Sequence, residues 1–170
     1  MAQHTHANDD ETRHQPDDAI ALLTADHRQV RALFQQYGDT TDPYLKQIIA
    51  EHVFAELILH ILLEETVFYP AFAEQADEEG KRLVNEALHD HQHLRELIVT
   101  LQNVAEDAVF ETRFQALRAH VDQHVEDEET TMFPQAAQVL ATHWEEITVL
   151  LQERKEQILA GRVPTFPVNR

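Results

Sequence analysis

Two stretches of the chain repeat the same combination of histidine and glutamate. Five of the eleven positions from His60 to Pro70 are identical to those from His124 to Pro134. A further histidine precedes each stretch at the same offset of 64 residues, so the polar side chains common to both halves are His27, His60, Glu64, His91, His124 and Glu128. Imidazole and carboxylate groups together suit iron, and also manganese or zinc. The repeat therefore predicts a metal site built from two related halves.

The spacing within each stretch places its histidine and glutamate on one helical face, because residues i and i+4 are neighbours on an α-helix. The apolar residues around the first pair, Leu57, Ile61 and Phe68, predict that this face points into the core. Burying ionised carboxylates without partners is costly, and a cation between them offsets that cost. Two carboxylates bridging two ions about 3.5–4 Å apart would account for both copies. Each ion would take two histidines, either both from one half or one from each.

The composition narrows the classes of protein to which the chain can belong. There is no cysteine, which excludes disulfides, cysteine-type zinc sites, iron–sulfur clusters and thiol catalysis. The 31 acidic residues outnumber the 13 lysines and arginines, and the net charge of −18 disfavours binding to nucleic acid or to an anionic membrane. No apolar run is long enough to span a bilayer, and the polar N-terminal residues lack the apolar core of a secretory signal. We expect a cytoplasmic protein, and the sequence indicates no particular protein partner.

Apolar residues recur at helical spacing along most of the chain, and no strand-type alternation interrupts them. This periodicity predicts four long helices and a shorter last one, over about 17–38, 43–69, 81–105, 107–134 and 142–161. Long helices with short connections indicate an all-α fold, namely an antiparallel up-down four-helix bundle with an internal two-fold repeat and an additional C-terminal helix. We expect residues 1–16 to be a disordered N-terminal tail, 17–160 to be the bundle and 161–170 to be a C-terminal tail.

Local signals predict where these helices begin and end. Asp17, Asp42 and Asp107 are the expected N-caps, and Thr142–Glu145 fits a capping box. A loop is expected around Gly80. Since the residue before a proline avoids helical geometry, the second and fourth helices should end or kink at the prolines of the two repeated stretches.

The repeated residues resemble the hemerythrin family in its bacterial His-His-Glu domain form. The resemblance covers about residues 17–160 and rests on Asp26-His27-Arg28, on His91, and on the segments His60–Pro70 and His124–Pro134. It implies that Glu64 and Glu128 bridge two iron ions, with an oxo or hydroxo bridge from solvent, while manganese and zinc are alternative metals. Family members bind dioxygen reversibly, sense oxygen or redox state, handle peroxide or nitric oxide, or hold iron.

The chain departs from the oxygen-carrying members of that family. Those members use a fifth histidine one turn from the ligand on the third helix, whereas Ala87 and Arg95 occupy the positions one turn either side of His91. This difference argues against simple oxygen carriage. Glu56 and His120, each one turn before a repeated histidine, are the candidates for an additional ligand or for a hydrogen-bond partner of a ligand.

Several functions stay open at the level of sequence. Binding or sensing of dioxygen, nitric oxide or peroxide is favoured, because no further acid, base or substrate pocket is visible; the alternatives are iron storage, delivery or stress-related iron handling, a catalase-like enzyme, and a helical scaffold. A ferritin-like carboxylate site would need two Glu-x-x-His motifs on its helices, and within the predicted helices only Glu86–His89 fits. Tyr69 could point to the site, although an aromatic residue before proline usually packs. The surface is the expected place for His52, His89, His93 and His143.

Overall fold

The computed structural model describes residues 18–161, and all regular structure within them is helical. In chain order the elements are α1 (Asp18–Asp39), α2 (Pro43–Leu63), a first π turn (Glu64–Phe68), α3 (Tyr69–Gln75), α4 (Glu78–Gln102), α5 (Asp107–Asp127), a second π turn (Glu128–Met132), α6 (Phe133–Val139) and α7 (Trp144–Leu159). Helix α1 packs on α2 and α4 packs on α5, which gives the two related pairs, and α7 packs against α1 and α2. The predicted all-α bundle with an additional C-terminal helix is thus confirmed. The predicted tails and the Asp17 cap lie outside the described residues.

The prolines of the two repeated stretches do not end their helices. The residue before Pro70, Tyr69, has helical dihedral angles of φ −63° and ψ −42°, and its N–H bonds to the carbonyl of Glu64, five residues earlier. Phe133 bonds to Glu128 in the same way before the second proline. The helices do not end there, so that part of the prediction was wrong, because a π turn widens the backbone ladder where a proline ring would clash in an α-helix; the alternative of a kink stays a prediction. The helical path of α2 therefore continues into α3, and that of α5 continues into α6.

The structure confirms the predicted N-cap at Asp42 but contradicts the predicted loop at Gly80. The Asp42 side chain accepts hydrogen bonds from the backbone of Tyr44 and Leu45, as predicted for an N-cap. Gly80, by contrast, lies in the first turn of α4 rather than in a loop, and Asp77 caps that helix. A Cβ atom at Gly80 would lie 2.5 Å from the Cβ of Ala76, so the close approach of α3 to α4 requires glycine.

The other two predicted caps were wrong. Helix α5 begins at Asp107 itself, after Glu106, which makes no side-chain cap. The N-cap of α7 is His143, one residue later than the capping box requires, and the Thr142 hydroxyl contacts the His143 ring instead. Trp144, the first residue of α7, is buried.

Two hydrophobic clusters fill the bundle and meet along α2. One contains Leu57 and Ile61, and the other contains Leu63 and Phe68. Both leave a buried polar zone at the level of His60 and Glu64. None of the helices within residues 18–161 has the length and apolar character needed to cross a membrane.

Candidate metal centre

The six polar residues of the internal repeat converge inside the bundle. None of them exposes more than 5% of its surface. Helices α1, α2, α4 and α5 each contribute one histidine, and each glutamate opens a π turn. In the described part of the chain the donor atoms form two groups, each with all atoms within 4.8 Å of one another: His27, His60, Glu64 and Glu128, and Glu64, His91 and His124. The histidines therefore pair within each half.

The paired histidines approach each other through their Nε2 atoms. The Nε2–Nε2 distance is 2.9 Å between His27 and His60 and 3.0 Å between His91 and His124. Two metal–nitrogen bonds of about 2.0–2.1 Å at a right angle would place their nitrogens about 2.8–3.0 Å apart. Each pair is therefore spaced as two adjacent ligands of one ion would be.

The outer nitrogen of one histidine in each half bonds to a glutamate, and an arginine binds that glutamate in turn. These groups are His27, Glu129 and Arg31 in the first half and His91, Glu65 and Arg95 in the second. The Nδ1–Oε1 distances are 2.9 Å to Glu129 and 3.2 Å to Glu65. Because an ionised carboxylate only accepts hydrogen bonds, Nδ1 carries the proton and Nε2 keeps its lone pair for the interior.

The other two histidines face aspartates. The Nδ1 atom of His60 lies 3.9 Å from Asp26, and that of His124 lies 3.8 Å from Asp90. Lys155 of α7 binds Asp26 at 2.7 Å, whereas the side chain of Asp90 is 51% exposed. All four outer nitrogens thus face carboxylates. One of these carboxylates, Asp26 of the first half, is bound by Lys155 of α7.

This donor set fits a metal cation. Two inward lone pairs on nitrogens 2.9 Å apart repel unless a proton or a metal ion lies between them. Glu64 Oε1 and Glu128 Oε2 are fully buried and have no hydrogen-bond partner among the described residues. Buried carboxylate oxygens of this kind are normally paired or coordinate metal.

Glu64 faces both histidine pairs. Its Oε1 lies 3.1 Å from His60 Nε2, and its Oε2 lies 3.2 Å from His91 Nε2. Glu128 directs Oε2 towards His27 at 3.2 Å and towards His124 at 3.5 Å. The two carboxylates therefore lie between the pairs, where a bridging ligand would have to be.

The Tyr69 hydroxyl also lies in the site, which is the less favoured of the two alternatives for this side chain. It donates to Glu128 Oε1 at 2.6 Å and lies 3.3 Å from both Glu64 Oε2 and His91 Nε2. In an α-helix a residue five positions after Glu64 would be about 140° away around the axis. The π turn brings Tyr69 back over Glu64. Phe133, its counterpart at offset 64, stacks on the His27 ring at 5.7 Å.

Comparison with known proteins decides the family. The sequence profile of the Hemerythrin HHE cation binding domain matches residues 18–136. The chain belongs to this hemerythrin family. It is similar to an uncharacterized hemerythrin-like protein of Schizosaccharomyces pombe, with 27% identity over 110 residues, which cover 64% of this chain and 54% of that protein. The chain thus spans about half the length of that relative. No solved structure matches the chain significantly.

The buried charges of the hemerythrin-like site in this chain favour a positive charge inside it. Burial lowers the pKa of His60, but the charges of Glu64 and Asp26 outweigh burial and raise it to about 10. Burial in turn raises the pKa of Glu64, yet His60 and His91 hold it well below its usual range. A proton on His60 therefore occupies the metal-free site at neutral pH, and a metal ion must displace it.

The metal-free protein should lose stability as the pH rises. The pKa of His60 is about 10 in the folded chain and about 6.5 in an unfolded one. A raised pKa contributes stability that is complete below about pH 6.5 and is lost as the pH rises towards 10. We expect the melting temperature, followed by circular dichroism, to fall over this range by more than in His60→Gln. An equal fall in the variant, or none in either protein, would contradict this account.

The two candidates for additional ligands do not join the site. Glu56 is half-buried, and His120 is exposed, with its Nε2 atom 3.3 Å from that of His93. His52 and His89 are exposed as expected, while His143 is half-buried. At the positions where a fifth histidine would stand, Ala87 is buried in the core and Arg95 binds Glu65.

Sequence reasoning assigned no role to the residues that hold the ligands. Glu65 and Glu129, like Arg31 and Arg95, recur at offset 64, and so do the aromatic residues before the two prolines. The repeat that identified the inner residues thus also marked these, but only the structure shows what they contact.

Proposed function

We propose that this chain holds two iron ions and uses them to bind or react with dioxygen, nitric oxide or peroxide. His27 and His60 would hold one ion and His91 and His124 the other, with Glu64 and Glu128 shared between them. The observation that supports this best is the position of Glu64, whose two oxygens face different histidine pairs. The iron pair would supply the redox chemistry and a coordination position for the small molecule.

The cavity beside the histidine rings limits the size of that molecule. It has a volume of about 10 Å³, close to the roughly 10–15 Å³ that holds one water molecule. Apart from the four histidines, its walls are aliphatic and consist of Val30, Leu57, Ile61, Leu94, Val121 and Val125. A space of about one water molecule with aliphatic walls leaves no room for a larger organic substrate.

Tyr69 does not line this cavity, and it would act on the site through its hydrogen bond to Glu128. Burial raises the pKa of its hydroxyl well above the usual range, and the charges of Glu128 and Glu64 raise it further. In the metal-free chain the hydroxyl therefore stays protonated at neutral pH and donates to Glu128. It holds this carboxylate in place and keeps a proton beside His91.

Tyr69→Phe should separate reactivity from metal binding. The variant keeps the ring, so the iron content should be unchanged, but it loses a hydrogen bond to a carboxylate. Such a bond contributes about 1.5–3 kcal/mol, which corresponds to a change of about 10- to 100-fold in the affinity or rate for the small molecule. Stopped-flow mixing of the reduced iron protein with nitric oxide, dioxygen or peroxide measures this affinity or rate. Tyr37→Phe is the matched control, because Tyr37 is buried and bonded to Glu111, outside the metal site; equal effects in both variants would contradict the assignment.

The same mixing experiment on the unmodified protein tests the proposed function against its alternatives. A saturable, reversible spectral change with dioxygen or nitric oxide supports binding or sensing. Repeated turnover of peroxide would indicate a catalase-like enzyme instead. Oxidation followed by release of iron, with no ligand bound, would favour iron storage or delivery.

A further inference from the structure

Two exposed histidines form a pair on the surface, outside the interior site. His93 on α4 and His120 on α5 have Nε2 atoms 3.3 Å apart and ring centroids 4.5 Å apart. Both side chains are exposed. Two elements of the second helix pair thus present converging imidazole nitrogens to solvent.

Unlike the interior histidines, His93 and His120 are not repeated in the first half of the chain. At offset 64 the corresponding residues of the first half are Gln29 and Glu56. The two histidines are therefore absent from the duplicated pattern that accounts for the interior site. His89, one turn before His93 and exposed, has Ala25 as its counterpart. All three surface histidines belong to the second half alone.

The separation of the pair matches one particular coordination geometry. Two zinc–nitrogen bonds of about 2.0–2.1 Å at the tetrahedral angle place the nitrogens about 3.3–3.4 Å apart. The observed distance is 3.3 Å, whereas the interior pairs are at 2.9 and 3.0 Å. Neutral imidazoles select borderline cations such as zinc over magnesium or calcium.

We propose that His93 and His120 bind a zinc-class divalent cation at a peripheral site distinct from the interior centre. His93 and His120 are the two protein ligands of this site. Water completes the coordination. The net charge of −18 raises the local concentration of cations around the chain.

Zinc binding to four forms of the full-length chain tests this proposal. Unmodified protein, His93→Ala, His120→Ala and the control His52→Ala are reconstituted with iron and dialysed against Zn²⁺, and both metals are counted. His52 is an exposed histidine on α2. We expect His93→Ala and His120→Ala each to bind one fewer zinc per chain than the control, with unchanged iron. Other histidines, including those of the terminal segments, contribute equally to all four proteins.

Two results would overturn the proposal. One is equal zinc content in all four proteins. The other is loss of iron from His93→Ala and His120→Ala, which would assign the pair to the interior site. Because the readout is a difference between variants, it stands whether or not the interior holds iron.

Discussion

Glu64→Gln is expected to reduce the iron content of the chain from the proposed two ions to fewer than one. Both oxygens of Glu64 are buried and face different histidine pairs, at 3.1 and 3.2 Å. Glutamine keeps the shape but removes the charge, and its amide nitrogen cannot act as a ligand. One substitution therefore weakens both halves of the site. Iron per chain, measured by elemental analysis after anaerobic reconstitution and desalting, gives the result directly.

Glu56→Gln is the matched control for this experiment. Glu56 stands on the same helix two turns earlier, is half-buried and lies outside both groups of donor atoms. The control should keep both ions. His60→Ala and His124→Ala should each lower the iron content sharply as well. Full iron content in Glu64→Gln, with helicity preserved in both variants, would show that this carboxylate is not a ligand.

Removal of the metal is expected to lower the melting temperature by about 8–16 °C. A ligand present at 1,000 times its dissociation constant stabilises the folded state by about 4.1 kcal/mol, and each kcal/mol corresponds to about 2–4 °C in a protein of this size. The physical reason is that the stripped core keeps two buried carboxylate oxygens, Glu64 Oε1 and Glu128 Oε2, without hydrogen-bond partners. Differential scanning calorimetry of loaded and chelator-stripped protein at pH 7 measures the change.

The Glu64→Gln variant provides the control for this second prediction. If the stabilisation comes from the interior site, the variant should melt at the same temperature in iron-containing and iron-free buffer. An unchanged melting temperature in the unmodified protein would instead favour a helical scaffold whose histidines serve no metal.

The inner residues of the site were predictable because the chain carries two copies of them. A single His60 and Glu64 on an apolar face would be unremarkable, but the same pair at His124 and Glu128 restricts the interpretation. The i, i+4 spacing fixes a shared face, and the surrounding aliphatic residues fix its direction. Burial of all six residues in the structure agrees with that argument.

The place of Tyr69 was not predictable by the same rule. Helical periodicity of 3.6 residues puts a residue five positions after Glu64 on another face of the helix. A π turn changes that count, and the sequence offered only a proline at its end, which the usual rule treats as a break. The side-chain partners of Glu65 and Glu129 were hidden for a related reason: each contacts a histidine on a helix distant in sequence.

Some helix termini were predicted correctly and others were not, because neighbouring residues can compete for the same N-cap position. Asp42 is followed by a proline that fixes the first turn, and it caps as expected. Thr142 has no such neighbour, and the chain starts α7 one residue later, after His143. Gly80 was taken for a loop because glycine breaks helices, although its real constraint is the contact with Ala76 across the α3–α4 turn.

Native mass spectrometry of the full-length chain, reconstituted with iron in the absence of oxygen, tests the central claim most directly. The account predicts a dominant species heavier than the metal-free chain by two iron ions, and its disappearance in Glu64→Gln. A dominant species with one ion, or with none, would contradict a site in which two histidine pairs share their carboxylates.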